Sequence, residues 1–292
     1  ALLGLSGALL SQKALWIGAP GVREDHPPTV EEAASALSRI VSPRHAPAYV
    51  VLPGQGFGLY RVGFDGEAGA YADRAGSFIA QWDSRWDRPE LWLFDFHYHL
   101  FAGKMGEYVA GGLALAGLGF VLSGVVLWTR TWRKFSLRLW PARASPTAVA
   151  QHHRDLGVVV APFLAMSFVT GAMMTLPPFA DAVLAMVSPP KVMDRAAAPP
   201  AQHGGPIAAA PDWRKMLVVA KDAFPDAAPR MVALPDKDGD LIAMRLKQPA
   251  EWHPNGRTMA WFDPATGALL ETRDALALPT GLQVFHGVYP LH

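Results

Sequence analysis

The chain has 292 residues, of which 51% are hydrophobic and only 17% are charged, with a net charge of +1. The charged fraction is below the value of about 25% that is usual in globular proteins. The high apolar content excludes a disordered chain, and the net charge of +1 leaves no basic excess for binding nucleic acid. The absence of cysteine excludes disulfides, cysteine-ligated zinc, iron–sulfur clusters and c-type haem attachment. What remains is a chain in which apolar segments of membrane length alternate with soluble, proline-rich sequence.

The first seventeen residues resemble the end of a membrane helix. Residues 1–10 are apolar or small, but ten helical residues span only about 15 Å, half of a bilayer. A signal-peptide core is the alternative, although no basic segment precedes it and no small-x-small cleavage site follows it. We therefore expect residues 1–17 to be the outer half of a first transmembrane helix whose start the sequence does not include.

The two long soluble segments, 18–90 and 178–288, share an order of features. Each has an amphipathic helix, then strand-like alternation, then an aromatic-x-Asp turn with a glycine, and the first helix opens with a Thr29–Glu32 capping box. This order predicts an α+β unit, a helix with an antiparallel sheet, that occurs twice. The features lie at 29–34, 58–62 and 71–76 in the first segment and at 212–217, 241–246 and 261–267 in the second.

Two stretches, 108–129 and 156–176, are long and apolar enough to cross a membrane, and they are too long and too free of charge for the core helices of a soluble protein. The loop between them is strongly basic, so the positive-inside rule predicts that it is cytoplasmic. Both soluble segments would then face the other compartment, which in a bacterium is the periplasm. The basic residues are Arg130, Arg133, Lys134, Arg138, Arg143 and Arg154.

The segment 91–100 is apolar and aromatic, but polar residues separate it from the first span. A single helix over 91–128 would be about 57 Å long, too long for one bilayer. We therefore expect an interfacial segment, a break at Gly103 and then the span.

Six of the ten histidines lie at the membrane edges, where an ionisable residue is a functional candidate. The predicted topology places four of them at the outer face and two at the inner face, where the partner would come from the missing start of helix one. Two layers of imidazoles in a small helical bundle suit b-type haem with two histidine ligands. Zinc or copper is the competing interpretation, although carboxylates that would complete such a site are sparse. The outer histidines are His97, His99, His286 and His292, the inner ones are His152 and His153, and the remaining four, interpreted as surface imidazoles, are His26, His45, His203 and His253.

A Ser/Thr-Gly pair recurs late in each apolar run. The pairs are Ser6-Gly7, Ser123-Gly124 and Thr170-Gly171. Small residues at helix interfaces explain such pairs as well as a functional role does.

Three motifs resemble those of the PepSY-associated transmembrane proteins. Residues 95–100, with glycines at 103 and 106 and the run 122–128, resemble the second helix of that family. Residues 151–157 are similar to the start of its third helix and residues 289–292 to the start of its fourth. The two soluble units are similar to PepSY modules, so the resemblance covers essentially the whole chain.

The resemblance implies a multi-pass protein of the bacterial inner membrane, with a bundle of four helices, two periplasmic PepSY modules and a frequent link to iron uptake. In members similar to ferric-siderophore reductases, histidines at these helix ends bind haem b. Carried over, His97 and His292 would ligate an outer haem, and His153 would ligate an inner haem with a histidine that this chain lacks. His99 and His152 remain alternative ligands because each lies within a residue or two of one of these positions, and His286 remains a further candidate at the outer face.

The function predicted first is a transmembrane electron conduit. Electrons from a cytoplasmic or quinol donor would pass through two haems to a periplasmic acceptor such as a ferric siderophore, which would make the protein an oxidoreductase. The alternative is a membrane-anchored PepSY module that binds or regulates a partner without redox activity. A metal permease is disfavoured, because it would require more polar residues within the spans. The soluble segments contain no acid–base or nucleophilic constellation, so no side-chain catalyst is assigned.

These inferences divide the chain into seven segments. They are the end of transmembrane helix 1 (1–17), PepSY-like module 1 (18–90), an interfacial segment with transmembrane helix 2 (91–129), a cytoplasmic loop (130–151), transmembrane helix 3 (152–177), PepSY-like module 2 (178–288) and the start of transmembrane helix 4 (289–292).

Overall fold

A computed structural model describes residues 2–24, 26–42, 45–54 and 56–292. Ala1 of the predicted helix end at 1–17 lies outside the described residues, as do Asp25, Pro43, Arg44 and Gln55 of the predicted module 18–90. The chain forms two compact units. The first consists of residues 1–97 and 188–286, and the second of residues 98–187 and 287–292.

Two similar blocks flank the two longest helices, and each block consists of short helices, four consecutive strands and a further helix. The elements are α1 (Leu2–Ser11), α2 (Lys13–Trp16), α3 (Val30–Ile40), β1 (Tyr49–Val51), β2 (Tyr60–Gly63), β3 (Gly69–Ala72), β4 (Phe78–Trp82), α4 (Pro89–His99), α5 (Gly103–Thr129), α6 (Pro146–Thr175), α7 (Pro177–Leu184), α8 (Pro190–Ala197), α9 (Trp213–Ala223), β5 (Ala228–Ala233), β6 (Ile242–Lys247), β7 (Thr258–Phe262), β8 (Leu269–Arg273) and α10 (Thr280–Leu291).

The first unit is built on one eight-stranded antiparallel sheet with the order β4-β3-β2-β1-β5-β6-β7-β8. Strands β1–β4 form one meander and β5–β8 form a second. The meanders meet where β1 pairs antiparallel with β5, with Val50 opposite Val232. Both predicted α+β units are therefore present, and their strands form a single continuous sheet.

Each meander is preceded by a capped amphipathic helix. The predicted capping box of α3 is confirmed, because Thr29 Oγ1 accepts a hydrogen bond from Glu32 N at 3.2 Å and Glu32 Oε2 accepts one from Thr29 N at 2.8 Å. Helix α9 begins after Asp212, whose carboxylate accepts from Lys215 N at 2.9 Å. The apolar sides of α3 and α9 pack on the sheet in one hydrophobic core that both repeats share.

The predicted aromatic-x-Asp turns connect β3 to β4 and β7 to β8. Asp73 Oδ1 accepts from Ser77 N at 2.8 Å, and Asp263 Oδ1 accepts from Ala265 N at 2.7 Å. A glycine with positive φ ends each turn, Gly76 at 81° and Gly267 at 66°, a conformation that glycine adopts without steric cost. The pairing register also shifts just before each turn, so the two repeats agree in this detail as well.

The shared core predicts a large difference between two tryptophans of the second repeat. Trp213 is 1% exposed and Trp252 is 70% exposed. We expect Trp213→Ala to lower the free energy of unfolding by about 3–5 kcal/mol, because it leaves a cavity, and Trp252→Ala to change it by less than about 0.5 kcal/mol. Circular-dichroism melts in detergent measure both variants, and equal losses would contradict the assignment of the core.

The second unit contains the two helices that are long and apolar enough to cross a membrane, by length and composition. Helices α5 and α6 pack closely through glycines, since a Cβ added at Gly117 would lie 2.6 Å from the Phe168 ring. Elsewhere large apolar side chains are exposed, including Phe120 at 78% and Leu127 at 64%. Such surfaces are typical of helices that contact lipid rather than water.

The ends of these helices differ somewhat from the predicted bounds. Helix α6 begins at Pro146, six residues before the predicted start at 152, because Ser145 caps it and proline suits the first helical position. It continues through Pro162 and ends at Thr175, before the Pro177–Pro178 pair. The break predicted near Gly103 is present, because α4 ends at His99 and positive φ angles follow at Leu100, Phe101 and Gly103.

Candidate functional site

His97 is held by α1 within the first unit. Its Nδ1 atom lies 3.0 Å from Ser6 Oγ and 3.1 Å from the Leu3 carbonyl oxygen. The Ser6 side chain is buried, with 3% exposure. The imidazole lies against Gly7, where an added Cβ would be 3.0 Å from His97 Cε1. The Ser6-Gly7 pair therefore supplies both a polar contact and the space for the ring.

His292 is held in the same way by α6 within the second unit. Its Nδ1 atom lies 3.1 Å from Thr170 Oγ1, and Thr170 is buried with 5% exposure. The ring lies against Gly171, where an added Cβ would again be 3.0 Å from the imidazole Cε1 atom. Two different Ser/Thr-Gly pairs thus hold two different histidines through the same atoms.

These contacts indicate which ring nitrogen carries the proton. A carbonyl oxygen only accepts hydrogen bonds, so the contact to Leu3 requires a proton on His97 Nδ1. Thr170 Oγ1 lies 2.8 Å from the Met166 carbonyl oxygen and 3.1 Å from that of Ser167, and when it donates its proton to either of them it accepts from His292 Nδ1. With the proton on Nδ1, a neutral imidazole has its lone pair on Nε2. A metal-binding histidine commonly has this arrangement, with its other nitrogen donating to a carbonyl or another oxygen.

The third pair, Ser123-Gly124 on α5, has different surroundings. Ser123 Oγ donates to the Phe120 carbonyl oxygen at 3.0 Å, an ordinary bond within the helix. No described atom outside the helix's own nearby backbone lies within 4 Å of a Cβ added at Gly124. This pair provides an internal comparison for the two pairs that contact histidine.

The neighbouring outer candidates make other contacts. His99 Nε2 lies 3.4 Å from Glu107 Oε1, and Glu107 is buried with 8% exposure. His286 is half-buried in the first unit, where burial first, and then the charges of Arg257 and Arg245, lower its pKa to about 4. His99 therefore pairs with a carboxylate, and His286 belongs to a basic cluster.

The two inner candidates differ in exposure. His153 is exposed, whereas His152 is half-buried and lines a small cavity of about 90 Å³ with Asp155 and Ser136. His152 Nδ1 is buried and makes no hydrogen bond to the described residues. The Asp155 carboxylate accepts from Arg154 Nε at 2.7 Å and from Ser136 N at 3.1 Å. Within the described ranges, no group of three or more histidine, aspartate or glutamate side chains is arranged to hold a metal ion.

The interpretation of His253 as a surface imidazole is wrong, because this residue is 5% exposed. Its loop folds back on itself, since Glu251 Oε1 accepts from Gln248 N and from Thr258 Oγ1, both at 2.9 Å. Burial, followed by the charge of Arg257, lowers the pKa of His253 to about 3.

This lowered pKa predicts that acid destabilises the sheet. The pKa of histidine is about 6.5 in the unfolded chain, so the stabilisation is complete above that pH and is lost as the pH falls towards 3. Between pH 6.5 and 5 the expected loss is about 2 kcal/mol from His253. Denaturant melts at several pH values should show a smaller pH dependence in His253→Gln than in the control His203→Gln, which alters an exposed histidine. Equal slopes in the two variants would contradict the prediction.

Comparisons with known proteins agree with the resemblance of the helix motifs. The chain is similar to a protein of Pseudomonas aeruginosa described as uncharacterized, with 27% identity over 210 residues that cover 68% of this chain and 52% of that protein. The chain thus spans about half the length of this curated relative. The family described as PepSY-associated TM region matches residues 2–292, essentially the whole chain. Together with its two membrane-length helices and its β-rich module, this match shows that the chain belongs to the PepSY-associated transmembrane family.

Proposed function

We propose that this protein is a haem-binding electron conduit of a bacterial inner membrane. The observation that carries the proposal is the shared arrangement of His97 and His292, in which Nδ1 lies 3.1 Å from an oxygen atom, a contact that suits a neutral imidazole with its proton on Nδ1 and its lone pair on Nε2. Axial ligation of haem iron through imidazole requires such a neutral ring. Of the candidates predicted at the outer face, these two share an Nδ1 contact to a Ser or Thr hydroxyl and a glycine against the ring.

The chain's own residues would bind and orient the cofactor. His97 and His292 would serve as the ligands of the outer haem, and His153 or His152 as a ligand of the inner haem. The glycine-lined surfaces of α5 and α6 would provide apolar walls, with four transmembrane helices completing the bundle. When bound, haem b supplies one-electron redox chemistry.

The charge of the loops supports the proposed direction of electron transfer. The basic loop between α5 and α6 would be cytoplasmic by the positive-inside rule, which would place both PepSY-like repeats in the periplasm. A cytoplasmic or quinol donor would then supply one electron, and a periplasmic ferric siderophore would accept it. Fe(III) would become Fe(II), which binds less tightly to the hard oxygen ligands typical of siderophores.

Anoxic mixing of the dithionite-reduced full-length protein with a ferric hydroxamate siderophore tests the acceptor. We expect the haem absorption to return to that of the oxidised form while an Fe(II) chelator captures the released iron. The gallium complex of the same siderophore is the matched control, because Ga(III) accepts no electron under these conditions. Identical haem spectra after the two complexes are added would contradict siderophore reduction, although electron transfer to another acceptor would still be open.

A further inference from the structure

Two of the three Ser/Thr-Gly pairs contact Nδ1 of a candidate haem ligand. We propose that Ser6-Gly7 and Thr170-Gly171 are positioning elements, each of which fixes the tautomer and the orientation of one histidine. This inference rests on the proposed haem function and adds the residues that would set ligand strength. The two pairs belong to different helices and different units, so the same arrangement occurs independently at two places in the chain.

The hydroxyl of each pair helps to set where the imidazole proton lies, together with the Leu3 carbonyl oxygen in the case of His97. Ser6 Oγ donates to the Leu3 carbonyl oxygen at 2.9 Å, as Thr170 Oγ1 does to the Met166 carbonyl oxygen at 2.8 Å. Each hydroxyl has one proton, and once it donates that proton to the carbonyl oxygen its remaining lone pairs favour an Nδ1–H group opposite. The hydroxyls are nearly inaccessible to water, at 3% and 5% exposure for their residues, so the imidazole is their available donor.

The glycine determines where the ring lies. At both Gly7 and Gly171 an added Cβ would be 3.0 Å from the imidazole Cε1 atom, inside ordinary van der Waals contact. An alanine there would push the ring away and lengthen the Nδ1 hydrogen bond. Each element therefore needs both residues: the hydroxyl favours the proton on Nδ1, and the glycine lets the ring approach closely enough for the hydrogen bond.

The consequence for iron follows from ligand basicity. An Nδ1–H group that donates a hydrogen bond makes the imidazole a stronger donor through Nε2, and loss of such a partner typically weakens metal binding 10–100-fold. A stronger donor favours ferric over ferrous iron. If removal of one hydroxyl weakens ferric binding tenfold more than ferrous binding, the midpoint potential rises by about 59 mV.

The first test uses haem-free full-length protein, so it does not depend on haem binding. Nitrogen-15 NMR of labelled histidine should show Nδ1–H tautomers for His97 and His292. Thr170→Val should shift the His292 signals towards a mixture of tautomers, whereas Ser6→Ala should shift those of His97 by less, because the Leu3 carbonyl oxygen at 3.1 Å still accepts from Nδ1. Ser123→Ala is the matched control, because its hydroxyl contacts no described histidine, and it should change neither. Unchanged tautomers in the first two variants would overturn the inference even if the protein binds haem.

The second test uses the haem-loaded protein and a redox titration. We expect Ser6→Ala and Thr170→Val to raise the midpoint potential of the ligated haem, while Ser6→Thr and Thr170→Ser keep the wild-type value because they retain the hydroxyl. A potential that tracks side-chain size rather than the hydroxyl would overturn the inference. If no haem binds at all, the proposed function fails, whereas the tautomer result still decides whether the pairs position the histidines.

Discussion

Replacing His97 with alanine should remove the outer haem, whereas His99→Ala should leave it in place. The two histidines are separated by one residue on α4, but His97 is held by Ser6 and Leu3 and His99 is paired with Glu107. Since each of the two proposed haems has its own ligands, loss of one site should lower the haem-to-protein ratio by about one half. The pyridine haemochrome assay on purified variants measures this ratio.

The same assay tests whether His97 and His292 ligate one haem. His292→Ala should cause the same loss as His97→Ala, and the double variant should lose no more than either single variant, because residues that act as a unit are not additive. Adding His153→Ala to the double variant should lower the ratio further, because His153 is the proposed ligand of the inner haem. Full haem retention by His97→Ala, or additive losses in the double variant, would contradict the ligand assignment.

Membrane orientation should give an all-or-none difference in labelling. The chain has no cysteine, so single cysteines can be introduced without background. Ala144→Cys lies in the basic loop and Ala250→Cys in the second PepSY-like repeat, and both alanines are exposed. A maleimide that does not cross membranes should label Ala250→Cys in intact spheroplasts and label Ala144→Cys only after permeabilisation.

The two cysteine variants are matched controls for each other, because both replace an exposed alanine. Equal labelling after permeabilisation shows that both thiols are reactive. The reverse pattern in intact spheroplasts would invert the electron path, and labelling of both would contradict the assignment of α5 and α6 as membrane spans.

The sequence predicted the repeated unit because its signals are local. The capping box at Thr29, the alternation of the strands and the Asp-Gly turns each depend on a few neighbouring residues. The shared sheet was not predicted, because the pairing of β1 with β5 joins strands from different repeats, and periodicity does not indicate which strands pair.

The candidate site, like the sheet, could be predicted only in part. The histidines at the helix ends could be found from their positions beside apolar runs, but the residues that hold them could not. Ser6 and His97 are 91 residues apart, and Thr170 and His292 are 122 apart. The sequence feature that pointed to these residues was the recurrence of the Ser/Thr-Gly pairs, but helix packing explains that recurrence equally well. The burial of His253 was missed because loop residues are ordinarily on the surface.

A reduced-minus-oxidised absorption spectrum of the purified full-length protein, with its haem-to-protein ratio, decides whether this protein binds redox-active haem. Two low-spin b haems with histidine ligands should give a red preparation whose Soret band shifts on addition of dithionite. A colourless protein, expressed with ample haem, would show that the imidazoles bind no iron. The protein would then be a membrane-anchored PepSY module that binds or regulates a partner.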